Sequence, residues 1–145
     1  YITVHASGGL KMLKAVVKKA KTLNKKIFVV TVLTSLNNKS LREIGHTKTA
    51  EQLVLKQAAL IKKSGAAGIV CSAKEAKIVR KKYKNLFIVT PGIKLPGDKN
   101  NWDQSRVNTP NAAFKAGASA IVIGRSIHSG NIKRNIKRLK DHLNQ

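Results

Sequence analysis

The sequence predicts an α/β fold built on a parallel sheet, and three observations carry that reading. Short apolar runs rich in β-branched residues alternate with amphipathic stretches along the whole chain. The runs are continuously apolar, the pattern of parallel strands covered on both faces. Each run also ends in small or polar residues, where α/β folds place their chemistry.

Tyr1 to His5 reads as the first strand. Leu10, Leu13, Val16, Val17 and Ala20 then share one face of a helix from about Gly9 to Leu23. Ile27 to Leu33 is the second strand, followed by a polar stretch and a helix from about Thr49 to Lys63 presenting Leu53, Leu55, Ala59 and Leu60. Gly68 to Cys71 is the third strand, with a helix from Ala73 to about Tyr83, and Leu86 to Thr90 is the fourth. After a long loop, Thr109-Pro110 reads as a helix cap with proline at the first helical position, opening a short helix to Ala116. Ala120 to Gly124 is the fifth strand, and Asn131 to Leu143 a closing helix.

With 145 residues and 42% hydrophobic content, the chain has room for one domain with a real core. Five β/α units cannot close a (β/α)8 barrel, which needs eight strands and roughly 250 residues. The chain also opens on Tyr1, already inside a strand. The expectation is therefore a single partial barrel domain over residues 1–145, its amino-terminal strands belonging to a longer protein. The alternative is a complete five-stranded doubly wound sheet.

No run of about 18 apolar residues offers a membrane span, and no apolar leader precedes a cleavage-like site. A cytoplasmic protein with no membrane partner is expected. Cys71, the one cysteine, lies in an apolar run and reads as a buried structural thiol. The net charge of +23 invites a nucleic-acid reading, but only six of the 29 cations are arginine and the lysines spread through every helical segment. Aromatics, the stacking platforms for single strands, are 4% of the residues. Non-specific adhesion at low salt is expected, and specific nucleic-acid recognition is not.

The strand ends read His5 to Gly9, Thr34-Ser35, Ser72, Thr90-Pro-Gly92 with Lys94, and Gly124-Arg125. The last is the most informative, because backbone amides beside a guanidinium are what a phosphate needs. In barrels of this kind the phosphate site is commonly built from the loops after the last two strands. The loop from Gly92 to Asn108, with Trp102, Gln104 and Arg106, has the length of a binding loop or lid. His5, His46, His128 and His142 show no metal-ligand spacing. A phosphorylated small molecule is the leading ligand class.

Val4-His-Ala-Ser-Gly-Gly9, Val30-Thr-Val-Leu-Thr-Ser35, Gly68-Ile-Val-Cys-Ser-Ala73 with Glu75-Ala76, Val89-Thr-Pro-Gly-Ile93, Asp103-Gln104 and Val122-Ile-Gly-Arg125 together resemble bacterial orotidine 5'-phosphate decarboxylases. The resemblance covers essentially the whole chain and implies strands four to eight of a (β/α)8 TIM barrel. It further implies cofactor-free decarboxylation of orotidine monophosphate to uridine monophosphate, by a homodimer when full length. Thr34 would contact the pyrimidine side, Gln104 would reach toward phosphate and base, and the Gly124 amide with Arg125 would grip the phosphate. Lys94 stands where the family usually has arginine, keeping the charge but losing the bidentate fork. Ser126 replaces a proline, and the loop reads Asp103-Gln-Ser-Arg106 where the family has Asp-Gln-Arg-Arg.

The family's catalytic motif Asp-x-Lys-x-x-Asp-Ile-Pro-Asn-Thr is absent from this sequence. Phosphate grip alone leaves nothing to protonate the product, so no catalytic residue is expected within the chain, and the chain alone is expected to be inactive. Another phosphate-gripping barrel isomerase or lyase is the alternative enzyme, and the Leu-Thr-Ser and Pro-Gly-Ile motifs speak against it. A basic nucleic-acid-binding protein is the alternative from a different class.

Overall fold

The computed structural model describes residues 1–98 and 108–144. Five strands form a single parallel sheet in the order β1-β2-β3-β4-β5. They are β1 (Ile2–His5), β2 (Ile27–Val30), β3 (Gly68–Val70), β4 (Phe87–Thr90) and β5 (Ala120–Ile121). The helices are α1 (Gly9–Thr22), α2 (Asn38–Glu43), α3 (Ala50–Ser64), α4 (Ala73–Lys82), α5 (Pro110–Lys115), α6 (Arg125–His128) and α7 (Ile132–Leu143). A 3-10 turn, Ala6–Gly8, joins β1 to α1.

Local chemistry sets the helix starts. Thr49 and Gln52 form a capping box on α3, and Ser72 with Glu75 forms another on α4. Thr109 Oγ1 accepts from the Ala112 amide, with Pro110 at the first position of α5, as its sequence predicts. Gly65 ends α3 in the left-handed region, at φ 73°. Two short helices were not anticipated. In α2 the Asn37 side chain caps the amides of Lys39 and Ser40 at 2.9 Å each, holding a turn whose sequence is too polar to show periodicity. The other is α6, which directly follows the fifth strand.

Two strands are shorter than their apolar runs. The Val70 carbonyl accepts both the amide of Thr31 at 3.1 Å and its hydroxyl at 2.8 Å, ending the β2–β3 ladder. Beyond that point β3 gives way to the Ser72 cap that opens α4. Similarly, the Val122 amide makes one more bond, to the Thr90 carbonyl at 2.9 Å, before β4 runs into Pro91, which has no amide to continue the ladder.

Strand order decides between the two architectures that the sequence left open. In a doubly wound sheet the order reverses at a switch point and helices cover both faces. Here the order is strictly sequential, and right-handed crossovers then put every connecting helix on one face. Helices α1, α3, α4 and α5 pack side by side in that order. Against them lie Ile27, Val29, Ile69 and Ile88, none more than 3% exposed, with Leu13 and Ile61 fully buried. Burying side chains of this size stabilises the fold by about 1.5–3 kcal/mol each.

The opposite face carries Phe28, Val30, Val70, Phe87 and Val89, which stay half-buried or exposed. The cover on both faces implied by the continuous apolar runs is thus supplied by helices on one side only. The other face carries no helix and is the face that a sequentially ordered parallel sheet turns inward when it curls toward a barrel. Phe28, Gly68 and Phe87 are aligned in neighbouring strands, and the two rings meet over the glycine with centroids 5.6 Å apart. A Cβ on Gly68 would lie 2.5 Å from the Phe87 carbonyl oxygen and 2.7 Å from the Phe28 ring.

At the amino-terminal ends of β4 and β5, Arg80 donates to the carbonyls of Leu86 (2.8 Å) and Gly117 (3.0 Å) and to Ser119 Oγ (2.9 Å). Gly117, at φ 99°, lets the chain pass within 2.8 Å of the Arg80 stem at its would-be Cβ. Among the described residues, no helix is long and apolar enough to cross a membrane.

Candidate functional site

All five strands point the same way, so the segments leaving their carboxyl ends share one rim. Thr34 is half-buried in the turn between β2 and α2, and Arg125 opens α6 beyond β5. Three strand spacings, about 14 Å along the sheet, separate the ends of β2 and β5.

The loop after β4 is closed at its neck. Gly92, at φ 76°, turns the chain, and its carbonyl accepts from the Asn108 amide at 3.0 Å. The Lys94 amide returns a bond to the Asn108 carbonyl at 2.9 Å, and Ile93 bridges Asn108 as a short parallel pair. Lys94 is 6% exposed, so its ammonium stem is fixed by packing at this neck. Gln104, the loop residue expected to touch phosphate and base, lies outside the described residues, as do Trp102 and Arg106.

Gly124 caps α6 with φ −110° and ψ −92°, and its carbonyl accepts from the amides of Ile127 (2.7 Å) and His128 (3.2 Å). Arg125 is half-buried and faces a cleft of about 240 Å3 shared with Ser126, Ser129, Gly97, Asp98 and Arg138. Two guanidiniums in one small cleft are a setting for an anion. Arg138 Nη2 bonds Asp98 Oδ1 at 2.9 Å, which offsets one of those charges. Burial alone would push the Asp98 carboxyl up. The Ser126 hydroxyl, the Arg138 guanidinium and the Leu95 amide outweigh burial and hold it below the ordinary carboxylate value of 3.8.

The structure thus gathers Lys94, Gly124 and Arg125 around the ends of the last two strands and places Thr34 farther along the same rim. A larger cleft, about 390 Å3, lies between the starts of α2, α3 and α4, lined by Asn37, Thr49, Glu51 and Lys74, and none of the expected site residues line it. Asp98, Ser126 and Arg138 carried no site signal in the sequence, because the residues they join stand 31 to 42 positions apart. Among the described residues, no three His, Cys, Asp or Glu side chains converge on a common point.

Residues 1–138 match the model of the orotidine 5'-phosphate decarboxylase / HUMPS family. The chain belongs to this family. An orotidine 5'-phosphate decarboxylase of Idiomarina loihiensis is 46% identical over 129 residues, covering 87% of this chain and 55% of the relative. One from Nitrosomonas eutropha is 40% identical over 144 residues, covering 98% and 62%. The crystal structure of the Lactobacillus acidophilus enzyme superposes with a TM-score of 0.79 at 32% identity, covering 99% of this chain and 62% of that one. The Methanocaldococcus jannaschii enzyme, complexed with the inhibitor BMP, gives 0.68 at 25% identity, covering 99% and 61%. The chain spans a little over half the length of the curated relatives it matches. The family's solved members are TIM barrels, which accounts for the one-sided sheet and its apolar inner face.

Proposed function

We propose that this chain is the phosphate-gripping part of an orotidine 5'-phosphate decarboxylase, which converts orotidine monophosphate to uridine monophosphate and carbon dioxide. In that reaction the bond from the ring carbon to its carboxylate breaks and carbon dioxide leaves. The electron pair stays on the ring carbon until a proton replaces it. The observation that carries the reading is that β4 and β5 pair in parallel and lead at their carboxyl ends into Lys94 and into Gly124-Arg125, in a chain of this family.

Each residue has a separate task. The Gly124 amide and the Arg125 guanidinium take phosphate oxygens, Lys94 supplies a compact cation at the loop neck, and Gln104 closes from the loop. Thr34, three strands away along the rim, meets the pyrimidine. Binding energy gathered at a phosphate remote from the reacting carbon can hold the base in the geometry of the transition state, which raises turnover and not affinity alone. None of these residues handles the proton, so the chain by itself turns over no substrate.

The whole protein would work without a cofactor, in the cytoplasm and as a homodimer, which sedimentation of the full-length product can check. Calorimetric titration with uridine monophosphate and with uridine tests the ligand reading. Binding that depends on the phosphate is expected. Equal affinity for both would remove the reading.

A further inference from the structure

We propose that Asp98, Ser126 and Arg138 form a positioning clamp that locks the loop neck and the Gly124-Arg125 turn into one body, so that Lys94 and Arg125 meet a phosphate already aligned. The inference rests on the phosphate reading above and deepens it.

The need for such a device follows from length. Helix α6 is a single turn of four residues, and a helix that short is marginal on its own. Arg125 is its first residue, so tertiary contacts must decide where the guanidinium points. The neck has a similar problem, since Leu95 to Asp98 lie beyond the end of β4.

Two sets of contacts join these weak segments. Buried Ser126 Oγ accepts from the Leu95 amide at 3.3 Å, tying α6 to the residue after Lys94. Arg138, on the twelve-residue α7, donates to the Pro96 carbonyl at 2.8 Å and to Asp98 Oδ1 at 2.9 Å. Its other terminal nitrogen donates to Asn135 Oδ1 at 3.3 Å. Asn135 Nδ2 in turn donates to the carbonyls of Ile127 (3.0 Å) and Ser129 (2.9 Å), which fixes the far end of α6. A circuit therefore runs from the loop neck through Ser126 to α6, through Asn135 to α7, and through Arg138 back to the neck.

Charge and position make opposite demands at Asp98, and that separates a clamp from a bystander. As a nearby anion, Asp98 repels a phosphate, so Asp98→Asn should tighten binding if electrostatics alone mattered. As a clamp, its carboxylate strengthens the Arg138 bond by charge, which an amide oxygen keeps only in weakened form, so in the variant Arg125 and Lys94 must be ordered again at each binding event and affinity should fall about tenfold.

The experiment titrates the protein expressed from its whole gene, as wild type, Asp98→Asn and Ser126→Ala, with uridine monophosphate and with uridine, alongside thermal melts. The expected result is about a tenfold loss for uridine monophosphate in both variants, with uridine affinity unchanged. Tighter or unchanged uridine monophosphate binding by Asp98→Asn overturns the clamp while leaving the phosphate reading intact. Equal losses for both ligands also overturn it, since they mark general unfolding. If the wild type shows no preference for the phosphate, both readings fall together. Should Asp98→Asn not fold, Ser126→Ala still separates a phosphate-specific loss, which supports the clamp, from equal losses for both ligands, which overturn it, with Ser126→Thr as the rescue that restores the hydroxyl and the affinity.

Discussion

Replacing Gly68 with alanine adds one methyl group on the inner face of the sheet, between Phe28 and Phe87 of the neighbouring strands. That carbon would stand 2.5 Å from the Phe87 carbonyl oxygen and 2.7 Å and 2.8 Å from two carbons of the Phe28 ring. The ring can tilt away, but the carbonyl belongs to the adjoining strand and moves only if β3 and β4 separate. Overpacking of this kind costs about 1–3 kcal/mol, and the upper end applies because one of the contacts is to backbone. For a domain of this size that corresponds to a fall in melting temperature of roughly 5–12 °C. Thermal and urea denaturation, followed by circular dichroism, measure it. A Phe28→Leu change in the Gly68→Ala background should recover only part of the loss, because it relieves the ring contact and not the backbone one. Gly68→Ala melting with the wild type would refute the claim that β3 and β4 close over a glycine here.

Further outcomes follow from the same contacts. Arg80→Ala, which leaves the carbonyls of Leu86 and Gly117 without their donor, should destabilise the protein by about 2–4 kcal/mol in urea, and Arg80→Lys should recover little of it, since one ammonium cannot span the same acceptors. Asp98 is held below its ordinary value of 3.8, so its contribution to stability is present above that value and disappears as the pH falls through and below it. The stability gap between wild type and Asp98→Asn should therefore be constant near neutrality and close in acid, and a gap that persists in acid would show that Asp98 is not ionised in the clamp.

Much of this fold could be read from the residues in order. The face of α1 built on Leu13, Val17 and Ala20 is buried as its spacing predicts, and Thr109-Pro110 starts α5 where the cap and proline place it. Strand ends were less legible, because the reach of β2 depends on where β3 stops, a fact recorded in another part of the chain. The short helices α2 and α6 were missed since four to six residues are too few for a periodic pattern. At the site, Gly124-Arg125 stood out because its chemistry is local. Asp98, Ser126 and Arg138 did not, because their meaning comes from partners that folding brings together across 31 to 42 positions. Likewise, five apolar runs do not say whether their helices lie on one side or two; strand order decides that.

The central claim is that the end of the fifth strand holds a phosphate, and Arg125→Ala tests it most directly. Its affinity for uridine monophosphate, set against that for uridine, is the measurement. A guanidinium bonded to a phosphate contributes about 1.5–3 kcal/mol, so a loss of roughly 10- to 150-fold for the nucleotide is predicted, with uridine affinity unchanged. Unaltered binding of uridine monophosphate by Arg125→Ala would contradict the claim.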